Sequence, residues 1–131
     1  AAERNIFSKV DSEILERNIP SYLKDPDNKW FGLSKRARTI VFSGDQFTSD
    51  DFSTYEDLAA PKWNGKLCLR TSKKVYNRSL IASMIDEYGY DQTKEVVSGW
   101  ISNLATEVFS NDTNALKAVS SGQCGMTIVN T

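Results

Sequence analysis

GKLCLRTSKKVYNRSLIASMIDEYG, residues 65–89, passes through strand, loop and helix in that order. Leu67, Cys68 and Leu69 form a short apolar run, and Thr71-Ser72-Lys73-Lys74 is a polar turn. Leu80, Ile81, Met84, Ile85 and Tyr88 then fall at i, i+1, i+4, i+5 and i+8, one apolar stripe on a helix that Gly89 ends. In an open α/β sheet the loop leaving a strand's carboxyl end is where ligands sit, because the helix that follows points free backbone N–H groups at it. Tyr76, Asn77, Arg78 and Ser79 lie at that junction and are the first candidates for chemistry.

Downstream, Asp91 is placed to cap a second helix whose Val96, Val97, Trp100, Ile101 and Leu104 repeat the stripe. Asn111-Asp112-Thr113-Asn114 clusters N-cap residues ahead of a third, Ala115 to Val119, which Gly122 terminates, and Cys124 to Thr131 reads as the closing strand. Upstream, Trp63-Asn64-Gly65 turns the chain into the strand of the quoted stretch, which is expected to be the central one. Ser53-Thr54-Tyr55-Glu56 has the S/T-x-x-E form of a capping box for a short helix through Leu58. Arg36 to Phe42 reads as extended, with Arg36 and Arg38 on one face, and Val10, Ile14, Leu15 and Ile19 suggest a short helix that Pro20 either stops or follows with another turn. Strands separated by helices predict one α/β layer structure, a mostly parallel sheet flanked by helices.

Composition narrows the function. A chain of 131 residues, 40% of them hydrophobic, can bury one core, so residues 1–131 are expected to form a single α/β lobe. Sixteen basic and seventeen acidic residues leave a net charge of −1, which gives no basis for general affinity to nucleic acid or an anionic membrane. No apolar run approaches the roughly 20 residues a membrane-spanning helix needs. Histidine is absent, and with it the commonest general base and transition-metal ligand. Cys68 and Cys124 are too far apart for zinc-type spacing and are either core thiols or one disulfide. Ser79 sits in no G-x-S-x-G turn, and neither a Walker loop nor a dinucleotide fingerprint is present. Asp50-Asp51 and Glu56-Asp57 are explained by a loop and a cap without invoking acid/base catalysis. A binding protein is what remains, not an enzyme. The strand-like ending Met126 to Thr131 suggests a piece of a longer chain.

Three runs carry a resemblance: KWFGLSKRARTIVFS, YEDLAAPKWNGKLCLRTSKKVYNRSLIASMI and SNDTNALKAVSSGQCGMTIVNT. Together they resemble the periplasmic ferric-iron-binding proteins of ABC transporters, the extracellular iron(III) solute-binding family. The resemblance implies one lobe of a two-lobe periplasmic binding protein of type II, with residues 1–30 a connecting segment from the first lobe and a cleft that closes over Fe(III). It also implies delivery to an ABC transporter permease in the inner membrane. In that family tyrosine phenolates hold the iron, and the tyrosine of V-Y-N-x-S-L matches Tyr76. The arginine of F-G-L-x-x-R-A-R that faces the cleft matches Arg36, with Arg38 the alternative. The family pattern continues past Thr131 into a further pair of metal-binding tyrosines. A periplasmic location permits oxidation, so a Cys68–Cys124 disulfide is expected.

Physical chemistry agrees with that ligand set. Ferric iron is a small hard cation suited to anionic oxygen. Phenolates bring excess negative charge, which a guanidinium can offset, the role expected of Arg36. Taken alone, Tyr76 also reads as a ring covering a helix start with its hydroxyl in water. An alternative function is the binding of an oxyanion or small organic solute by Arg36 and the Asn77-Arg78-Ser79 helix start. The isolated lobe, lacking the other ligands, is expected to bind iron weakly or not at all, and its unpaired sheet edge opens a route to self-association.

Overall fold

The structure, a computed structural model, describes Arg4 and residues 6–131. Its elements are helix α1 (Glu13–Asn18), strand β1 (Arg38–Phe42), strand β2 (Leu67–Cys68), helices α2 (Val75–Tyr88), α3 (Tyr90–Ser102) and α4 (Asp112–Ser120), and strand β3 (Met126–Asn130). Single 3-10 turns occur at Ser21–Leu23, Ser49–Asp51, Glu56–Ala59 and Pro61–Trp63. The chain divides into two units, one up to Arg36 and one from Ala37 to Thr131.

In the first unit the Ser12 hydroxyl accepts the Leu15 amide at 3.4 Å and starts α1, and Ile19 is its buried anchor. Pro20 acts in both expected ways: α1 has ended before it, and a 3-10 turn opens after it. Lys24 and Phe31 form an antiparallel bridge beyond that turn. Residues 1–3 and 5, at the start of the expected connecting segment, lie outside the described residues.

The second unit holds a three-stranded sheet in the order β1-β3-β2. β1 runs antiparallel to β3, from Arg38 opposite Asn130 to Phe42 opposite Met126, whereas β2 runs parallel to it over Leu67 and Cys68. The sheet is therefore mixed, which corrects the mostly parallel sheet expected. A parallel pair needs a crossover across the sheet face; α2, α3 and α4 supply one between β2 and β3, but only loops and 3-10 turns join β1 to β2. A second correction is that the middle strand is β3, buried from Met126 to Val129, and not the Leu67 strand. The outer side of β2 is covered by residues 103–109, where Leu67 donates to the Asn103 carbonyl and Thr71 to that of Phe109 at 2.8 Å.

Each helix follows its stripe in part. α2 buries Asn77, Leu80 and Met84, while Ile85 and Tyr88 remain exposed, and its main packing partner is α3. α3 buries Thr93, Val96 and Trp100. Asp91 does not cap it: Gly89, at φ 84°, is both the C-cap of α2 and the N-cap of α3, a positive-φ backbone that joins two helices without a loop. Asn111 caps α4 as expected, its side chain accepting the Asn114 amide at 2.8 Å. The closing strand begins at Met126, two positions later than expected. The cap at Ser53-Thr54-Tyr55-Glu56 is also displaced. Asp57, not Glu56, accepts the Ser53 and Thr54 amides at 2.7 and 2.9 Å, and Arg36 lies outside β1, which starts at Arg38.

Phe52, Leu58, Trp63, Leu67, Met84, Trp100, Met126 and Ile128 belong to one core cluster, with Phe42 and Phe47 packed against it. α3 approaches the Glu56–Ala59 turn closely at Gly99, where a Cβ would fall 2.6 Å from that of Ala59 and 2.8 Å from its carbonyl oxygen. Cys68 and Cys124 form a disulfide, Cα to Cα 5.8 Å, inside a smaller cluster with Ala118 and Val119 of α4. Closing a loop of that length contributes about 4 kcal/mol in the chain-entropy account.

Candidate functional site

Tyr76 stands in the first turn of α2 and is 40% exposed. Beneath it lies Arg70, two residues past the end of β2, with its guanidinium carbon 4.6 Å from the centre of the tyrosine ring. Strand side chains alternate, so Arg70 leaves the chain on the face of Cys68, the face that α4 covers. There it meets Asp112, the first residue of α4: Arg70 Nη1 donates to Asp112 Oδ1 at 3.3 Å.

The other oxygen of Asp112 accepts Arg38 Nη1 at 2.7 Å and the Asn130 amide at 3.1 Å. Arg38, with 7% of its side chain exposed, also donates to Asn130 Oδ1 at 3.1 Å, to Asn77 Oδ1 at 2.9 Å and to the Ile128 carbonyl at 2.5 Å. Asn77 in turn donates Nδ2 to the Arg70 carbonyl at 2.6 Å. Burial works against a charge on Asp112, but the Asn130 amide, Arg38 and Arg70 together hold its carboxyl below the usual carboxylate range. On the far side of β1, Tyr55 donates its hydroxyl to the Arg38 carbonyl at 2.6 Å, and burial pushes that phenol up against the opposing charge of Arg38.

Of the residues singled out in the sequence, the fold joins Tyr76, Asn77 and Arg38 through Arg70 and Asp112. Arg36 belongs to the first unit and is exposed, and its side chain makes no ion pair among the described residues. Arg38 has its hydrogen-bonding groups turned inward, and Asn77 is buried with its amide spent on Arg70 and Arg38. Neither is free to hold a solute anion, so the alternative site at this helix start retains only Arg78 and Ser79, both exposed. Sequence reasoning passed over Arg70, Asp112 and Asn130. The period-two spacing from Cys68 to Arg70 is the one local signal, and Asp112 reads in the sequence as a cap residue alone. Among the described residues no cluster of three or more Cys, Asp or Glu side chains is arranged to hold a metal.

The second unit is thus a helix-flanked mixed α/β sheet with an exposed phenol above a buried charged floor. The family model described as bacterial extracellular solute-binding protein matches residues 1–130, and the chain belongs to that family, whose members are solute binders and not enzymes. It is 46% identical over its whole length to "Iron uptake protein A1" of Synechocystis sp., of which it spans 36%. It superposes with a TM-score of 0.86 and 38% identity on the Trichodesmium IdiA (FutA) protein in complex with iron and citrate, covering 99% of this chain and 41% of that one. The apo ferric ion-binding protein A of Pasteurella haemolytica gives the same identity, coverage and TM-score. The chain thus spans about two fifths of the length of these relatives.

Proposed function

We propose that the chain is one lobe of a two-lobe periplasmic protein that binds ferric iron in the cleft between its lobes and delivers it to an inner-membrane ABC permease. The observation that carries this reading is the placement of Tyr76: an exposed phenol held over a buried cluster in which two guanidiniums face one carboxylate. A net positive floor suits an anionic oxygen ligand, and a phenolate is the anionic oxygen that Fe(III) prefers. The names of the relatives, iron uptake and ferric ion-binding proteins, point to the same cargo. Arg36 keeps the charge-balancing role that its motif implies, while Arg38 and Asn77 fix the floor.

The test titrates ferric iron from a competing chelator into the full two-lobe protein, recording the visible phenolate-to-iron charge-transfer band. Tyr76→Phe keeps the ring and removes the oxygen, so apo stability should hold while iron affinity falls by more than the about 10–100-fold that loss of an outer partner costs. Arg36→Ala should fall within that outer range with the ligand count unchanged. Wild-type affinity and band in Tyr76→Phe would end the ligand assignment. The 131-residue chain alone should fold but bind iron weakly, since it carries one of several ligands.

A further inference from the structure

We propose that Arg70 is the positioning residue of the site: it clamps the Tyr76 ring from the protein side and supplies the positive charge that its phenolate requires. This rests on the reading of Tyr76 as an iron ligand. Arg70 is not a surface arginine that has drifted onto a ring. Only 12% of its side chain is exposed, and it is fixed from three directions. Its guanidinium is held by Asp112, its carbonyl receives the Asn77 side chain, and the backbone on either side is bonded to Phe109, Leu69 accepting from it and Thr71 donating to it.

Asn77 follows Tyr76 directly, so the two residues grip Arg70 at opposite ends. Asn77 binds the backbone of Arg70, and the side chain of Arg70 returns to the face of Tyr76. That closed circuit sets the angle of the ring as well as its place. A planar guanidinium is suited to this because it stacks on an aromatic face while bonding a carboxylate with its edge. The charges point the same way. Arg38 and Arg70 share the single carboxylate of Asp112, and the Nε of each has no partner among the described residues. Burying an excess cation is costly unless something anionic balances it. A phenolate oxygen above Arg70 supplies part of that balance.

The experiment uses the full two-lobe protein as wild type, Arg70→Met, Arg70→Lys and Tyr76→Phe, each titrated with ferric iron from a competing chelator, with the charge-transfer band and the apo thermal melt recorded. Arg70→Met should lose about 10–100-fold in iron affinity and displace the band, because ring angle and donor strength both change. Arg70→Lys keeps the charge without the plane and should recover most of the affinity while the band stays displaced. Wild-type affinity and band in Arg70→Met, with both reduced in Tyr76→Phe, would overturn the role of Arg70 and leave the iron reading standing. No effect in Tyr76→Phe would overturn both. If Arg70→Met does not fold, Arg70→Lys decides, and a wild-type band there overturns the proposal.

Discussion

The two ends of β1 are buried by opposite means. At Phe42 the strand enters a nest of rings, with Phe52 5.1 Å away edge-on and Phe47 and Trp63 packed behind it. At Arg38 it enters a knot of charge and amide groups in which both terminal nitrogens of the guanidinium are hydrogen-bonded. Apolar burial gains free energy without fixing direction, and edge-to-face pairs add about 0.5–1.5 kcal/mol each. A buried ion pair roughly breaks even against desolvation, yet each hydrogen bond fixes a distance and an angle. Stability is concentrated at the Phe42 end and geometry at the Arg38 end, four residues apart. Tyr76 stands over the end that fixes geometry.

Truncating the aromatic end should give the largest effect. Trp63→Ala removes a ring in contact with Phe47 and Phe52 and a hydrogen bond to the Asp57 carbonyl, and should cost about 3–5 kcal/mol in a urea melt. The folded fraction should keep its affinity for iron. A loss of affinity at saturating fold would show that the two ends are not separable.

Asp112→Asn attacks the other end. Replacing a carboxylate bonded to two arginines and an amide should cost about 2–3 kcal/mol at neutral pH. The cost should depend on acidity. The carboxyl is depressed in the fold below its unfolded value near 3.8, so its contribution is complete above that pH and is lost as pH falls through the lower folded value. Denaturant melts from neutral pH down into the acid range should therefore show wild type and Asp112→Asn converging at the acid end. Parallel curves would mean that Asp112 is not the group that titrates. Asp57, depressed by the Ser53 and Thr54 amides, should keep its own acid limb in the variant.

The smallest effect is expected between the two ends. Thr127 faces the interior of β3 opposite Val41, and its hydroxyl has no partner among the described residues. Thr127→Val exchanges that hydroxyl for a methyl of the same shape and should be neutral or stabilising by up to about 1 kcal/mol. A clear loss of stability would reveal a hydrogen bond or buried water that this hydroxyl serves.

Local features were legible in the sequence in proportion to how local their physics is. Gly89 ending α2, Asn111 capping α4 and the strand-turn-helix of residues 65–89 all depend on neighbours within a few positions, and all are found. The direction of β1 depends on β3, at the other end of the chain, and no periodicity records it. The displaced cap shows the limit at short range: Glu56 and Asp57 both satisfy the motif, and backbone geometry alone chose Asp57. At the site, Tyr76, Asn77 and Arg38 were readable as candidates, but the residues linking them were not. Arg70 follows a two-residue strand, too short for a pattern to stand out, and its partner lies 42 positions on. An ion pair between distant residues leaves no signature in either neighbourhood.

Asp112 accepts from a residue of β1, from one just past β2 and from the backbone of β3. In mechanical terms this carboxylate is a common bearing for three strands. Traction applied at Asn130 is divided between Arg38 and Arg70 rather than absorbed by the end of one strand. Through Arg70 it reaches the face of the Tyr76 ring. The ring is thereby referenced to the register of the whole sheet, so a slip of β3 by one residue would be felt as a rotation of the phenol.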